Sequence, residues 1–144
     1  MEGMNKSIIV AVDGSPTSLE GIRFAAPIAR GLGAELELVY VSPPNLLLPA
    51  IYPEAHRRIE QEHAALAAQV LRKSHRLAIE LEVPASTHRL TDGGADAIAE
   101  MARADRVWAV VVGARGHNAL ARVLLGSFAD RLVQVCPKSV LVVR

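Results

Sequence analysis

The chain has 144 residues and a formal net charge of +1, and 51% of its residues are hydrophobic although only 3% are aromatic. This length predicts a single domain, residues 1–144, with a sizeable core, and the hydrophobicity excludes a disordered chain. Near-neutral charge and few aromatic rings argue against binding to nucleic-acid polymers, which needs many basic residues or stacking platforms.

The first part of the chain reads as strand, helix, strand. Ser7–Val12 is a continuous aliphatic run, typical of a strand buried on both faces. Ser15 is a good N-cap and Pro16 a good first helical residue, so a helix should begin there and stop at glycines 31 and 33. Glu35–Val41 alternates at first and predicts the second strand. The apolar residues of the helix are Leu19, Ile22, Phe24, Ala26 and Ile28.

The middle of the chain predicts a long loop followed by the longest helix. Ser42–Pro53 contains four of the eight prolines, which favours a loop over a strand because proline removes a backbone donor. Its apolar centre, Leu46–Leu48, could cover a site or a partner surface. Glu54–Ile79 is rich in Ala and Leu and predicts a helix. Its apolar residues roughly follow one face and are Ile59, Leu66, Val70 and Leu77.

The last part continues the alternation, with the third, fourth and fifth strands separated by two helices. These segments are Pro84–Leu90, helix Ala95–Ala104, Val107–Val112, helix Ser127–Val135 and Ser139–Val143. Alternating buried strands and helices predict an α/β fold, in which right-handed crossovers build an open parallel sheet with helices on both faces. Ligands of such sheets bind beyond the carboxyl ends of the strands, where the winding reverses. Asp13 and Gly113 follow two such ends, so we expect them to be neighbours.

The segment that carries most chemical information starts at Gly113, has a second glycine at position 116, and ends at Gly126-Ser127. Glycines permit positive φ angles and a close approach of a ligand, and a helix beginning at Ser127 would offer free N–H groups to a phosphate. The alternative is purely structural: the glycines allow turns, and Ser127 with Asp130 forms a capping box. No lysine follows Gly126, so this is not a Walker A loop, and rapid hydrolysis is not expected.

The G-x2-G-x9-G-S spacing, the opening V-D-G-S at Val12–Ser15 and the final VLVVR resemble the universal stress protein family, in its ATP-binding branch. The resemblance extends over essentially the whole chain. It implies a flavodoxin-like, Rossmann-like sheet of five strands in the order 3-2-1-4-5. It also implies a stress-response or regulatory role with at most slow hydrolysis, and a homodimer paired through the last strand, Val140–Val143.

The resemblance also implies a set of nucleotide-binding residues for ATP, or for ADP or AMP. Adenine would lie at Ala11, Asp13 and Val41, and the ribose at Val112 and Gly113. Magnesium or manganese would bridge the phosphate oxygens, with few or no protein ligands. The phosphates would lie at Gly116, Gly126, Ser127 and the Phe128 amide, and the remaining candidates are Val12, Arg115 and His117.

Several of these candidates have a second interpretation. Asp13 could cap the first helix, and Arg115 and Arg122 could be solvated surface arginines instead of phosphate ligands. His117 is more simply a loop residue. The other histidines form no convincing metal site, and no catalytic residue is predicted.

Two further expectations come from the residues alone. The single cysteine, Cys136, and an N-terminal segment without a signal-peptide core predict a cytoplasmic protein, and no apolar run is long enough to span a membrane. An exposed last strand invites pairing with a second copy. Two other functions stay open: an ATP-using enzyme of a related α/β superfamily, and a nucleotide-free interaction module of the same fold.

Overall fold

The computed structural model describes residues 5–115 and 125–144. Within these ranges the strands form one parallel sheet in the order β3-β2-β1-β4-β5, which confirms the predicted fold. The predicted element boundaries hold to within a few residues, the largest difference being the earlier end of the third helix. The elements are β1 (Ser7–Ala11), α1 (Pro16–Leu32), β2 (Glu35–Val41), α2 (Pro53–Glu80), β3 (Ala85–Leu90), α3 (Gly94–Met101), β4 (Val107–Gly113), α4 (Ser127–Val135) and β5 (Ser139–Val143).

The sheet is covered on both faces, which is why β1 and β4 are almost uninterrupted aliphatic runs. One core lies between the sheet and helices α1 and α2, where Val10 and Leu38 pack with Ile22 of α1 and Val70 of α2. The opposite core lies under α3 and α4. Its fully buried residues include Ile9, Val39, Val110, Ile98 and Leu132.

Helix α1 begins as predicted and ends later than its first glycine. Ser15 is the N-cap, its hydroxyl accepts a hydrogen bond from the Ser18 N–H, and Pro16 is the first helical residue. Gly31 lies inside the helix, so the prediction that it stops α1 was wrong. Gly33 alone ends the helix, because it adopts the left-handed conformation with φ 64° that a residue with a side chain avoids.

Two of the apolar residues named in the predicted helices are exposed. Phe24 of α1 is 53% exposed and Leu66 of α2 is 48% exposed. Both helices bury a narrow stripe containing small residues, Ala25, Ala26 and Ala29 in α1. Helices with such stripes lie close to the sheet, and a large side chain one position off the stripe faces solvent.

The proline-rich segment after β2 is a loop, as predicted, and it is fastened to α2. The side-chain amide nitrogen of Asn45 donates to the His56 carbonyl at 2.9 Å and to a Glu60 carboxylate oxygen at 3.0 Å. The Nδ1 atom of His56 lies 2.8 Å from the Leu47 carbonyl oxygen. Leu46 and Leu48 are 85% and 60% exposed, so they cover no site within the described part of the chain.

No helix in the described ranges is both long and apolar enough to cross a membrane.

A buried carboxylate lies near the amino end of the sheet, which the alternating pattern of β2 did not predict. Glu37 is 1% exposed, because β2 is covered on both faces. Its carboxylate accepts a hydrogen bond from the Ser7 hydroxyl at 2.5 Å and two from Arg106, at 2.9 and 3.1 Å. The His88 Nε2 atom lies 3.5 Å away.

The partners of Glu37 decide its charge. Burial opposes ionisation, but the hydrogen bonds from Arg106 and Ser7 outweigh it, and together they lower the pKa of Glu37 below its ordinary value of 4.5. A carboxylate whose pKa is lower in the folded than in the unfolded protein stabilises the fold at pH values above its pKa in the unfolded protein. The stabilisation is lost as the pH falls through the folded pKa.

We therefore expect Arg106→Ala to lower the free energy of unfolding by about 1–3 kcal/mol at pH 7, less than for a fully buried pair because the Arg106 side chain is 41% exposed. The loss should shrink below about pH 4.5, where Glu37 of the variant is protonated. Urea unfolding at neutral and acidic pH measures both effects. Arg103→Ala, which breaks an exposed pair with Glu100, is the control and should cost about 0.5 kcal/mol or less. An equal loss at both pH values would contradict the assignment.

Candidate functional site

The carboxyl edge of the sheet changes its winding direction between β1 and β4. These strands are neighbours, with Val10 paired to Val111. The chain leaves β1 towards α1 on one face, and leaves β4 towards α4 on the other. The crevice between the two exits is the usual ligand position in open α/β sheets. Asp13 and Gly113 border this crevice, as predicted.

The turn between β1 and α1 is braced by Asp13. One carboxylate oxygen of Asp13 accepts a hydrogen bond from the Ser15 N–H at 2.8 Å, and Gly14 between them has φ 83°. The α1 cap itself is supplied by the Ser15 hydroxyl. Asp13 therefore holds the turn and does not cap α1, and its predicted contact with adenine stays a prediction, with the residue partly exposed at the crevice.

Three of the predicted adenine and ribose contacts share one face of the sheet. Ala11, Val41 and Val112 belong to the apolar cluster under α3 and α4, and Phe128 packs against the same cluster. Val12 points to the opposite core, so only its backbone lies on the candidate site's side. The structure thus brings together an aliphatic wall at the carboxyl ends of β1, β2 and β4.

The two residues that follow β4, here called the Ala114–Arg115 junction, are hydrogen-bonded to three other elements. The Ala114 N–H donates to the Val143 carbonyl of β5 at 2.7 Å. The Ala114 carbonyl accepts from the Gly126 N–H, also at 2.7 Å. The Thr17 hydroxyl of α1 donates to the Arg115 carbonyl at 2.5 Å. The exit of β4 and the start of α4 are therefore held next to each other.

Gly113 and Gly126 are the two glycines of the motif in the described ranges. Each is needed because there is no room for a side chain, and not because the backbone adopts a conformation that only glycine favours. The glycines with positive φ in the described ranges do not include Gly113 or Gly126, so that part of the prediction was wrong. A Cβ atom on Gly113 would lie 3.0 Å from the Thr17 hydroxyl oxygen. A Cβ atom on Gly126 would lie 3.1 Å from the Ala114 carbonyl oxygen. Side chains at these positions would push the segments apart.

Helix α4 begins without the predicted capping box. Its N-cap is Gly126, which makes no side-chain cap hydrogen bond, and Ser127 is the first helical residue, with an exposed side chain. Asp130 instead accepts a hydrogen bond from the Gln134 side chain at 2.9 Å. The first-turn N–H groups of α4 thus lack a side-chain acceptor at the N-cap, and such an end favours an anion.

A further polar group lies at the carboxyl ends of β2 and β3. The Arg89 Nε atom donates to the Ser42 hydroxyl at 2.9 Å, and its Nη2 lies 3.8 Å from a Glu60 carboxylate oxygen. Burial raises the pKa of the Tyr40 phenol, an effect that Arg89 opposes and Asp13 reinforces.

Gly116, His117 and Arg122 lie outside the described residues, and their predicted roles stay predictions. Arg115 is described and half-buried. The residue that the sequence did not reveal is Thr17, because nothing in the pattern of α1 connects it with a carbonyl 98 positions away.

The family model described as the universal stress protein family matches residues 4–144. The chain belongs to this family. Universal stress protein MJ0531 of Methanocaldococcus jannaschii is 32% identical over 145 residues, which cover 99% of this chain and 84% of that protein. Universal stress protein Rv1996 of Mycobacterium tuberculosis is longer: at 32% identity, the match covers 90% of this chain and 45% of the relative.

A solved universal stress protein also has this fold. The Archaeoglobus fulgidus protein, described in complex with dAMP, matches with a TM-score of 0.78 and 22% identity, covering 99% of this chain and 100% of that one. At this identity the likeness shows the shared fold alone. This universal stress protein therefore has the five-stranded parallel architecture of its family.

We expect Gly113→Ala to lower the free energy of unfolding by about 1–3 kcal/mol, because its methyl group would press on Thr17. Gly31→Ala is the matched control, since no heavy atom lies within 4 Å of a Cβ there and alanine favours helix. It should be neutral or stabilising by up to about 1 kcal/mol. Urea unfolding of both variants measures the difference. A Gly113→Ala protein as stable as the wild type would contradict the packing argument.

Proposed function

We propose that this universal stress protein binds an adenine nucleotide, ATP or its products ADP and AMP, at the carboxyl edge between β1 and β4. It would act in the cytoplasm as a stress-response or regulatory protein. The observation that carries the proposal is the pairing of the Gly126 N–H with the Ala114 carbonyl. This pairing holds the uncapped start of α4 beside the β1–β4 crevice, where a phosphate fits.

The adenine contacts in this proposal are an aliphatic surface and one carboxylate that accepts a hydrogen bond. Ala11, Val41 and Val112 supply an apolar wall for the base, since aromatic residues are scarce in the chain. The half-exposed carboxylate of Asp13 supplies a hydrogen-bond acceptor for an amino group of adenine. The ribose would lie at Val112 and Gly113.

The phosphate contacts rely on backbone groups. Gly126, the Ser127 hydroxyl and the Phe128 N–H would face the phosphate oxygens at the start of α4. Gly116, His117 and the Arg115 side chain complete the proposed set from the sequence. A magnesium or manganese ion would be held chiefly by the phosphates, because no three His, Cys, Asp or Glu residues in the described ranges are grouped to hold a metal.

The Archaeoglobus relative supports the choice of ligand class, since its structure is described with dAMP. The absence of a lysine after Gly126 supports binding with at most slow hydrolysis. Slow hydrolysis would keep the nucleotide bound long enough for the bound state to be sensed, which suits a regulatory role.

Isothermal titration calorimetry with ATP and magnesium tests the proposal. We expect wild-type binding, and at least a roughly tenfold weaker affinity in Gly126→Val, because the new side chain would displace the Ala114 carbonyl. Gly31→Val is the matched control and should bind like the wild type, since its Cβ meets no atom within 4 Å.

Two results would contradict the proposal. One is no wild-type binding at millimolar ATP, and the other is unchanged affinity in Gly126→Val. Mass spectrometry of the purified protein for retained nucleotide separates this function from a nucleotide-free interaction module. Steady turnover faster than about one per second would favour an enzyme instead.

We also propose a homodimer through the edge strand β5, at Val140–Val143. β5 ends the sheet, so one side of its backbone lacks a neighbouring strand within the described chain. Beside it lies a groove of about 440 Å³, formed by Leu141–Arg144 and by Glu20, Arg23 and Phe24 of α1. Phe24, at 53% exposure, supplies an apolar contact for the second copy.

Sedimentation or light scattering at micromolar concentration should give twice the mass of one chain. We expect Phe24→Lys to weaken the dimer by at least about tenfold, because it places a charge in the proposed interface. Leu66→Lys, on the outer side of α2 and 48% exposed, is the matched control and should stay dimeric. A monomeric wild type, or equal effects of both substitutions, would overturn the interface.

A further inference from the structure

We infer that Thr17 is a positioning residue that sets the affinity of the site for the phosphate groups of the nucleotide. The inference rests on the proposed nucleotide site and adds a residue outside the G-x2-G-x9-G-S motif. Thr17 acts through the Ala114–Arg115 junction, which its side chain holds from the α1 side.

The Thr17 hydroxyl is part of a chain of hydroxyls with a fixed direction. Its single proton goes to the Arg115 carbonyl, since a carbonyl oxygen can only accept. The Ser15 hydroxyl lies 3.2 Å from the Thr17 hydroxyl, and it must therefore be the donor in that contact. Two hydroxyls oriented in series strengthen each other's hydrogen bonds.

This chain connects the two borders of the crevice. Ser15 is also held by the Asp13 carboxylate through its N–H, at 2.8 Å. The sequence of contacts therefore runs from Asp13 through Ser15 and Thr17 to the Arg115 carbonyl. Through it, the turn that follows β1 fixes the segment that follows β4.

Packing against Gly113 restricts the position of the Thr17 side chain. The missing side chain of Gly113 leaves just enough space for the Thr17 Cβ and hydroxyl, which would lie 3.1 and 3.0 Å from a Cβ at that position. Thr17 thus touches β4 at Gly113 and holds the chain two residues later at Arg115. The hydrogen bond from Thr17 therefore limits the movement of the Arg115 carbonyl group.

We expect Thr17 to affect the binding of the phosphate groups and not the binding of adenine. The proposed base contacts Ala11, Val41 and Val112 are positioned by the strand ladder, which does not involve Thr17. The Asp13 carboxylate accepts from the backbone N–H of Ser15, a contact that does not use the Thr17 hydroxyl. The phosphate contacts lie around the junction and the start of α4. If the junction is loosened, binding is therefore weakened more for a ligand that has more phosphate groups.

The test compares ATP with adenosine, which lacks phosphates, by calorimetry on the full chain. Thr17→Val keeps the shape and removes the hydroxyl, and we expect about five- to tenfold weaker ATP binding with adenosine affinity unchanged within about twofold. Thr17→Ser restores the hydroxyl and should bind ATP within about twofold of the wild type. Thr87→Val makes the same chemical change at an exposed position of β3 and should alter neither affinity. Thermal unfolding of each variant establishes that it is folded.

Each other outcome counts against the inference in a distinguishable way. Wild-type ATP affinity in Thr17→Val, with wild-type binding intact, overturns the role of Thr17 and leaves the proposed function standing. An equal loss for ATP and adenosine, or no recovery in Thr17→Ser, shows a general structural effect and also overturns it. No ATP binding by the wild type removes both the inference and the proposed function.

Discussion

Helix α1 can approach the exit of β4 only because residue 113 has no side chain. The Thr17 side chain occupies the space that a Cβ atom would need, and its hydroxyl reaches the Arg115 carbonyl. In the same way, the missing side chain of Gly126 lets its backbone lie against the Ala114 carbonyl. Without these contacts, the start of α4 would not lie beside the crevice between β1 and β4, and the proposed site would lose its phosphate-binding end.

The near-neutral composition determines what kind of site this can be. Many phosphate sites use clustered lysines and arginines, but this chain balances 16 basic against 15 acidic residues. A helix amino end whose N-cap offers no side-chain acceptor provides positive potential without net charge. The proposed site would therefore suit one small nucleotide and give little affinity for a long polyanion.

The sequence predicted the fold well because its strands are buried on both faces and its helices are bounded by local signals. Ser15 and Gly33 marked the ends of α1, and their roles depend on neighbours within a few positions. Similarly, the winding of an alternating chain follows from general rules, so Asp13 and Gly113 were correctly placed near each other.

The errors arose where contacts connect distant parts of the chain. Glu37 stays ionised although it is buried because Arg106, 69 positions away, pairs with it, and alternation within β2 does not show this. Thr17 became recognisable only when Arg115 was brought beside it. Ser127 and Asp130 have the spacing of a capping box, but Gly126 pairs with Ala114 and takes the N-cap position itself.

The ionic cluster of Glu37 lies at the opposite edge of the sheet from the crevice. Val41 is four positions after Glu37 in β2, which is about 13 Å along a strand. Substitutions that far apart, without a shared partner, usually have additive effects on stability. The stability that the Glu37 cluster contributes is thus independent of changes at the crevice, so a substitution that alters one end of the sheet leaves the contacts of the other end in place.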